Sequence, residues 1–376
     1  MTPQHPTEPR TPPAAAAQTR IQVPVPGSPY DVVVGTGLLD QVDRLVPIPP
    51  HARRAALVTS GAVLGLYADR VAQRLRESGL TVEVIELPDG EVAKTLDTLQ
   101  LCYHAFAHMP LGRDDVVVAL GGGVVGDLAG FAAATWNRGV GLVQIPTTLL
   151  AQVDAAIGGK TGVNLTEGKN LVGAFHQPLA VVADVSTLAS LPLRERRAGL
   201  GEVVKYGFIA DPTVLDALER TPDDAVAGEP GLLTDLVRRS VAVKAKVVAA
   251  DERESGDRAL LNYGHTVGHV IESLGDYTTY RHGEAVGLGM VFAARLGERL
   301  GVSEAGLADR TAAVLGGLGL PVGGVTIDPD AAWDRLARDK KARAGVRFVI
   351  CERPGRARLV SQPDPAVINE TLLTLA

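Results

Sequence analysis

The pattern of apolar and polar residues divides the chain near residue 187. Before that point, short runs rich in β-branched residues alternate with stretches in which apolar residues recur every three or four positions. This alternation predicts parallel strands joined by crossover helices. The predicted strands comprise residues 54–59, 81–87, 115–120, 141–145 and 179–183.

Two segments of the first half depart from this alternation. Residues 21–34 are interrupted at Pro26, Gly27 and Ser28, which predicts an antiparallel pair of strands at the front of the domain. Residues 158–173 mix glycines with two lysines and two asparagines and are too irregular for a regular element. They predict a loop that suits a phosphorylated or polyhydroxylated substrate, although solvated surface loops have similar compositions.

Helical periodicity dominates from residue 188 to residue 319, where strand signals almost disappear. Within it, Val237, Val241, Lys244 and Val248 share one helix face, which places a lysine on an apolar stripe. Burying an unpaired ammonium is costly, so Lys244 either extends its ammonium to solvent or contacts a substrate.

The predicted organisation therefore has three parts. Residues 1–18, rich in Pro, Ala and Thr, form a disordered tail. Residues 19–186 form an α/β domain, and residues 187–376 form a helical domain. Within the helical domain, residues 345–350 and 358–360 are short strand candidates that pack back on the helices.

Composition and charge are those of an enzyme rather than a nucleic-acid or membrane protein. The 376 residues are 46% hydrophobic, and 37 basic against 43 acidic residues give a net charge of -6 without a basic tract. No apolar run approaches the ~20 residues of a membrane span, and no secretory signal is recognisable. Cys102 and Cys351 form no C-x-x-C pair, which fits a reducing compartment and predicts a cytoplasmic protein.

A glycine-rich turn follows the predicted strand at residues 115–120. Gly121, Gly123 and Gly126 match G-x-G-x-x-G, in which backbone amides and a helix N-terminus approach a pyrophosphate. The match departs from the usual dinucleotide pattern, because no acidic residue closes the next predicted strand. Glu91 or Lys94 would supply the missing ribose contacts, whereas a glycine-rich turn without a ligand is the alternative.

Two histidines, His265 and His269, are four residues apart and would share one helix face. This spacing is weak evidence by itself, since His104 and His108 show the same interval on another apolar stretch. The second pair is distinguished by the polar residues near it in sequence, which are Lys244, Glu254, Arg258, Asn262 and His282.

Glu202, on a separate predicted helix, would complete a zinc site of one carboxylate and two imidazoles with room for substrate. Glu202 and Lys205 are three residues apart, so a surface ion pair is the competing interpretation. Lys340 and Lys341 form either an anion clamp or an ordinary surface.

Together these motifs resemble the 3-dehydroquinate synthase family, the sugar phosphate cyclases of the shikimate pathway. The resemblance extends from about residue 32 to residue 360. The motifs that carry it are PDGExxK at 88–94, GGGVVGDLAGF at 121–131, PTTLLAQVDAAIGGKTGVN at 146–164, GKNLVGAFHQP at 168–178, GLGEVVKYG at 199–207, ADERE at 250–254, LNYGHTVGH at 261–269, RHGEAV at 281–286 and RDKK at 338–341.

The resemblance implies an α/β Rossmann-like N-terminal domain that binds NAD and an all-α C-terminal domain that binds zinc or cobalt. It also implies an active site in the cleft between them and a homodimer. The metal ligands would be Glu202, His265 and His282. His269 would then be an acid/base group, which replaces the ligand role that its spacing first suggested.

The same resemblance assigns the remaining site residues. Further catalytic positions are Lys160, Lys205, Lys244 and Glu254. The substrate-binding positions are Asp154, Asn170, Arg258, Asn262, one or both of Lys340 and Lys341, and Arg138 reaching from the neighbouring subunit. The NAD positions are Asp89, Gly90, Glu91, Lys94, Gly122, Gly123, Val124, Val125, Gly126, Asp127, Thr147, Thr148, Lys160, Lys169, Thr187, Leu188, Ala189 and Ser190.

The activity implied is a carbon–oxygen lyase reaction in which 3-deoxy-D-arabino-heptulosonate 7-phosphate yields 3-dehydroquinate and phosphate. Its steps are transient oxidation by NAD, elimination of phosphate, re-reduction and intramolecular aldol closure. The alternatives are a sister cyclase that forms amino-dehydroquinate, deoxy-inosose or epi-valiolone, a metal-dependent polyol dehydrogenase and a non-catalytic NAD-binding scaffold. Phosphate release without net NADH distinguishes a cyclase from the last two. The amino-dehydroquinate type is the strongest rival among the cyclases.

Overall fold

A seven-stranded sheet forms the centre of the first domain in the computed structural model, which describes residues 18–254, 256–275, 278–338 and 345–376. Its strands are β1 (Thr19–Val23), β2 (Tyr30–Gly35), β3 (Arg54–Ser60), β4 (Thr81–Leu87), β5 (Val116–Gly121), β6 (Gly141–Pro146) and, after a separate hairpin, β9 (Ala180–Asp184). Their order is β1-β2-β9-β6-β5-β3-β4. Within this sheet, β1 and β2 pair antiparallel and all the other neighbouring strands pair parallel. This confirms the predicted antiparallel pair at the front and the predicted parallel strands.

The chain reverses its direction of travel across the sheet between β3 and β5. From β3 it proceeds outward to β4 and then returns to β5 on the other side of β3. Ligands of open α/β sheets bind beyond the carboxyl ends of the strands at such a switch point. The glycine-rich turn lies there, because it follows Gly121 at the end of β5.

The helices of this domain cover both faces of the sheet, as the three separate groups of buried apolar residues indicate. They are α1 (Val42–Leu45), α2 (Gly61–Val63), α3 (Asp69–Glu77), α4 (Leu96–His108) and α5 (Gly123–Thr135). A short π-helix, Ala151–Ala155, follows β6.

The prediction of a loop over residues 158–173 is wrong. This segment forms an antiparallel hairpin of β7 (Lys160–Leu165) and β8 (Gly168–Phe175), in which Gly162 pairs with Gly173. A Cβ at Gly162 would lie 2.5 Å from the carbonyl oxygen of Val172, and one at Gly173 would lie 2.1 Å from that of Thr161. The glycines allow the strands to approach closely, and they also remove the β-branched signal by which strands are recognised.

The second domain is built from helices, as predicted. They are α6 (Leu193–Ile209), α7 (Pro212–Arg220), α8 (Pro222–Ala227), α9 (Pro230–Ala250), α10 (His265–Leu274), α11 (His282–Arg299), α12 (Leu307–Gly317), α13 (Pro329–Arg338) and α14 (Pro365–Leu373). One antiparallel hairpin, β10 (Arg347–Arg353) with β11 (Arg356–Ser361), packs on α11, so the two predicted strands are confirmed. Among the described residues, no helix is both long and apolar enough to span a lipid bilayer.

The largest apolar cluster includes residues of both predicted domains, such as Val32 on β2 and Val241 on α9. A 3₁₀ helix, Val185–Ser190, spans the predicted boundary at residue 187. Because the core is continuous there, the domain boundary stays a prediction. The predicted tail lies outside the described residues, apart from Gln18.

Candidate active site

Three side chains from three helices converge at one point. Glu202 lies in the middle of α6, and His265 and His282 are the first residues of α10 and α11. The Nε2 atoms of His265 and His282 lie 3.5 and 3.4 Å from Oε1 of Glu202. Two ligands bound at about 2.0–2.1 Å to a tetrahedral metal are roughly 3.3 Å apart. The spacing of this group therefore fits a divalent metal ion.

Glycines allow these helices to come close enough for their side chains to meet. A Cβ at Gly283 on α11 would lie 1.8 Å from the carbonyl oxygen of Ala198 on α6. A Cβ at Gly289 would lie 1.9 Å from the carbonyl oxygen of Gly264, which precedes α10. Backbone contacts of this kind tolerate no side chain, so they fix the positions of the three side chains.

The protonation states of the three residues differ. Burial lowers the pKa of His265 to about 3, which keeps its imidazole neutral. Burial also disfavours the charged form of His282, but the nearby carboxylates of Glu202 and Glu272 outweigh it and raise the pKa to about 10. Burial raises the pKa of Glu202, but Lys205 and the two histidines lower it well below its usual range.

The buried carboxylate of Glu202 supports the metal assignment. Within the part of the chain that the structure describes, its oxygens have ionic neighbours but no hydrogen-bond donor in good geometry. A desolvated carboxylate is costly unless cations bind it. Lys205 is one such cation, and a metal ion between the carboxylate and the two imidazoles would be a second. A metal held by one carboxylate and two imidazoles keeps a fourth position for substrate.

A buried group of lysines lies beside this cluster. Lys205 on α6 forms an ion pair with Glu202 and lies 3.6 Å from Oδ1 of Asp154. Lys244 on α9 lies 2.8 Å from the same oxygen, to which the Tyr206 hydroxyl also donates a hydrogen bond of 2.8 Å. Both lysines are at most 5% exposed, which confirms that Lys244 is buried on its apolar stripe.

Both lysines contact Asp154, which is the main counter-ion of Lys244, whereas Lys205 is paired more closely with Glu202. Burial lowers the pKa of Lys244 to about 8, although Asp154 opposes this effect. Burial raises the pKa of Asp154, but Lys244 and Lys205 lower it well below its usual range. The buried group thus holds two ammonium groups and two carboxylates, those of Asp154 and Glu202.

Lys160, Glu254 and Asn262 form a second polar group. Lys160, half-exposed at the start of β7, forms an ion pair with Glu254. Asn262 donates a hydrogen bond of 3.0 Å to the other oxygen of that carboxylate. Glu254 has a backbone φ of 59°, which L residues rarely adopt, so the local backbone is held in a strained conformation to present the carboxylate.

Arg258 has a different environment from the one expected of a phosphate ligand. Its side chain is 2% exposed, and its guanidinium donates hydrogen bonds to the carbonyl oxygens of Glu252 and Gly158. These contacts tie the loop after α9 to the loop before β7. Its role in binding substrate stays a prediction.

Asn262, His265 and His269 line one pocket together with Arg347 of β10. His269 is exposed, and its ring stacks at 6.1 Å on that of His282. His104 and His108, which share the spacing of the active-site pair, are both exposed on α4. The equal spacing therefore leads to different surroundings in the two helices.

The implied NAD positions gather at the carboxyl edge of the sheet. Gly122 to Asp127 form the turn and first residues of α5, and Thr147 donates its backbone N–H to the carbonyl of Gly121 at 2.9 Å. A Cβ at Gly122 would lie 3.0 Å from Cγ2 of Thr148, and one at Gly126 would lie 2.8 Å from the Gln144 amide oxygen. The glycines thus let the turn pack closely against the protein, and the turn leads into the N-terminus of α5, a position that fits a pyrophosphate.

Lys94 connects this turn to the β7–β8 hairpin. Its buried ammonium lies 2.7 Å from Asp127 and donates a hydrogen bond of 2.5 Å to the amide oxygen of Asn170. Glu91 accepts a hydrogen bond of 2.7 Å from Asn164 of β7. Asn170 is exposed, has a left-handed φ of 53°, and contacts the glycine-rich turn through Lys94.

The other implied cofactor positions differ in exposure. Asp89 and Gly90 are exposed after β4, and Asp89 accepts a hydrogen bond of 3.0 Å from Ala62. In the segment 187–190, Thr187 and Leu188 are buried, whereas Ala189 and Ser190 are exposed. Val125 is buried and Val124 is half-buried at the start of α5.

Arg138 is not brought to this cluster. It is exposed just beyond the C-terminal end of α5, a helix about 20 Å long whose other end carries the glycine-rich turn. Lys340 and Lys341 lie outside the described residues.

Sequence reasoning missed Glu272, whose side chain is 6% exposed on α10. Its Oε2 lies 3.2 Å from Nδ1 of His282, and its Oε1 lies 3.7 Å from the ammonium of Lys169. The available signal was its position seven residues after His265, on the same helix face and among apolar residues.

Known proteins are similar to this chain over most of its length. Two consecutive family models match it, 3-dehydroquinate synthase N-terminal over residues 84–198 and 3-dehydroquinate synthase C-terminal over residues 199–342. The 3-dehydroquinate synthase of Mycolicibacterium vanbaalenii is 47% identical over 344 residues, which cover 90% of this chain and 94% of that protein.

Two solved cyclases share the whole architecture. The 2-epi-5-epi-valiolone synthase of Streptomyces hygroscopicus, with NAD+ and Zn2+ bound, has a TM-score of 0.84 and 31% identity, covering 92% of this chain and 96% of its own. A 2-deoxy-scyllo-inosose synthase complexed with carbaglucose-6-phosphate, NAD+ and Co2+ has a TM-score of 0.85 and 27% identity, covering 95% and 100%. The chain belongs to the 3-dehydroquinate synthase family.

Proposed function

We propose that this chain is an NAD- and metal-dependent 3-dehydroquinate synthase whose metal is held by Glu202, His265 and His282. The observation that supports the proposal is the convergence of two imidazoles on one buried carboxylate. Nε2 of His282 and Nε2 of His265 lie 3.4 and 3.5 Å from Oε1 of Glu202. The curated relatives that match at high coverage are 3-dehydroquinate synthases, and this favours that reaction over the amino-dehydroquinate and dehydrogenase alternatives.

The cofactors follow from the family and from the fit of the two sites. The solved cyclases bind NAD+ with Zn2+ or Co2+. In this chain the turn at 122–127 would hold the pyrophosphate of NAD. Bound NAD would supply a reversible oxidation of the substrate, and the metal would lower the pKa of the hydroxyls that it binds.

The protein side chains would position the substrate and stabilise its negative charge. Lys205 and Lys244 converge on Asp154, so an anionic substrate oxygen placed beside them would meet two ammonium groups in a desolvated site. Lys160 and Asn262, which share the carboxylate of Glu254, would hold the phosphate end of the substrate.

His269 would hold the proton exchanged with the substrate. It is exposed in the pocket beside His265, while its neighbour on the other side is the ring of His282. An imidazole that reaches solvent can return its proton between turnovers, and His269 is exposed whereas His265 is half-buried.

We also infer a cytoplasmic homodimer in which Arg138 reaches the substrate of the partner subunit. The supporting observation is that Arg138 is exposed and lies far from the cluster within its own chain. Mixing Arg138→Ala with His265→Ala subunits tests this, because a mixed dimer would contain one site with all of its groups. Recovery of activity on mixing supports the arrangement, and two inactive variants that stay inactive contradict it. Cys102 and Cys351, both unpaired and buried, are consistent with a reducing compartment.

The deciding experiment compares His265→Ala with His104→Ala. The first variant would lose bound zinc and release no phosphate from the heptulosonate phosphate, because one of three protein ligands is gone. The second removes an exposed histidine and would keep both. Phosphate release is measured beside NADH absorbance, since net NADH would indicate a dehydrogenase. Full zinc content in the first variant would contradict the ligand assignment.

A further inference from the structure

We propose that Glu272 is a positioning residue, which holds the imidazole of His282 in the orientation and tautomer that metal binding requires. This inference rests on the proposed function, since it concerns the same metal. It assigns a role to a side chain that neither binds substrate nor belongs to the ligand group above.

The first argument is the geometry around His282. Its two ring nitrogens face two different carboxylates, with Nε2 at 3.4 Å from Glu202 and Nδ1 at 3.2 Å from Glu272. If Glu272 accepts the Nδ1–H, the Nε2 lone pair is directed toward the metal position. Carboxylates that bind the second nitrogen of a ligand histidine commonly fix its tautomer and increase its basicity.

The second argument is the burial of Glu272. A carboxylate that is only 6% exposed needs partners, and its other oxygen lies 3.7 Å from Lys169. Lys169 belongs to β8 of the first domain, whereas Glu272 and His282 belong to α10 and α11. The orientation of a metal ligand is therefore linked to a strand on the cofactor side of the site.

A competing interpretation makes Glu272 a metal ligand itself. Among the described residues, His269, Glu272 and His282 also have ligand atoms within 4.8 Å of one another. The Glu202 group matches the edge lengths of a tetrahedron, and a metal on Nδ1 of His282 would displace the hydrogen bond to Glu272. The geometry thus favours one metal ion, with Glu272 behind it.

The test compares Glu272→Ala and Glu272→Gln with Asp115→Asn. Asp115 is a suitable control because its carboxylate is equally buried, at 4% exposure, and accepts backbone hydrogen bonds at the opposite edge of the sheet. Zinc affinity is measured by competition with a chromophoric chelator, and metal stoichiometry is measured by elemental analysis. The visible absorption spectrum of the Co2+-loaded proteins reports the ligand geometry.

Glu272→Ala would bind zinc about 10- to 100-fold more weakly than the wild type and would change the Co2+ spectrum. Glu272→Gln keeps an acceptor oxygen, so it would bind zinc more tightly than Glu272→Ala but more weakly than the wild type. Asp115→Asn would bind zinc as tightly as the wild type. Zinc affinity within twofold of the wild type in Glu272→Ala, with an unchanged spectrum, would overturn the positioning role alone.

The same measurements separate the other outcomes. Two zinc ions per wild-type chain and one per Glu272→Ala chain would make Glu272 a ligand and would also overturn the positioning role. A wild-type chain that binds no zinc or cobalt would overturn the proposed function, and with it this inference.

Discussion

The carboxylate of Asp154 lies 2.8 Å from the buried ammonium of Lys244. Lys205 lies 3.6 Å from the same oxygen and also pairs with Glu202, so two carboxylates compensate two ammonium groups that have almost no access to solvent. Such an arrangement stabilises the fold only while all members are present, and it provides positive charge for an anionic substrate. Two of the predictions below follow from it.

Asp154→Asn is expected to destabilise the protein by about 3 kcal/mol, because it leaves Lys244 buried without its counter-ion. Chemical denaturation measures the loss. Asp216→Asn serves as the control, since its pairing with Arg310 is exposed and its loss would cost less than about 1 kcal/mol. Equal effects of the two substitutions would show that the buried group contributes no more than a surface pair.

Lys244 is expected to make stability depend on pH above neutrality. Its pKa is about 8 in the folded protein and 10.5 in an exposed lysine, with Asp154, Lys205 and Arg258 as its charged neighbours. Between these values the unfolded chain binds one more proton than the folded protein, so the contribution of Lys244 to stability increases with pH. The increase is about 3 kcal/mol at most.

Lys244→Met lacks this titration. The Tm of the wild type minus that of the variant is therefore expected to rise from pH 8 to pH 10.5, as measured by differential scanning fluorimetry. The variant is also expected to fold and to lose most of its turnover. A constant Tm difference would argue against the lowered pKa, and unchanged turnover would argue against a role in the reaction.

Gly173→Ala is expected to distort the β7–β8 hairpin, because the new Cβ would lie 2.1 Å from a backbone oxygen. The expected loss of stability is about 1–3 kcal/mol, with faster hydrogen exchange across residues 160–175. Gly168→Ala is the matched control on the same strand, since its nearest contact is 3.4 Å from the Leu171 side chain. If the backbone amides of residues 160–175 exchange in both variants at the wild-type rate, the hairpin does not require glycine at position 173.

Lys94→Met is expected to weaken NAD binding about tenfold, or about 1.4 kcal/mol. The substitution leaves Asp127 unpaired in the first turns of α5, where its charge would oppose the pyrophosphate. Isothermal titration calorimetry measures the affinity. Lys246→Met, which removes an exposed lysine of α9, would bind NAD like the wild type. If Lys94→Met binds NAD as tightly as the wild type, Lys94 does not contribute to cofactor binding.

The sheet could be predicted from the sequence because its parallel strands are buried on both faces and read as continuous β-branched runs. The hairpin at residues 160–175 could not, since Gly162 and Gly173 take the positions at which such residues would indicate a strand. Sequence patterns report the burial of side chains, and a pairing built on backbone contact leaves little trace in them.

The proposed metal ligands come from a family resemblance, and periodicity alone would have chosen His269 over His282. The pairs His104/His108 and His265/His269 have equal spacing but different surroundings. The partners of His265 lie on α6 and α11, which are separate from α10 in sequence, so local spacing cannot identify them. Glu272 was missed for a similar reason. Its partner His282 belongs to the next helix, and Lys169 lies about a hundred residues earlier.

The β7–β8 hairpin joins the two halves of the site through adjacent residues on one strand. Lys169 pairs with Glu272 on the metal side, and Asn170 holds Lys94 on the cofactor side. Asn170 has a left-handed φ of 53°, so the directions of these two side chains depend on this local backbone and not on regular strand alternation. A change in chain length within residues 168–170 would therefore cost both halves of the site their contact at once.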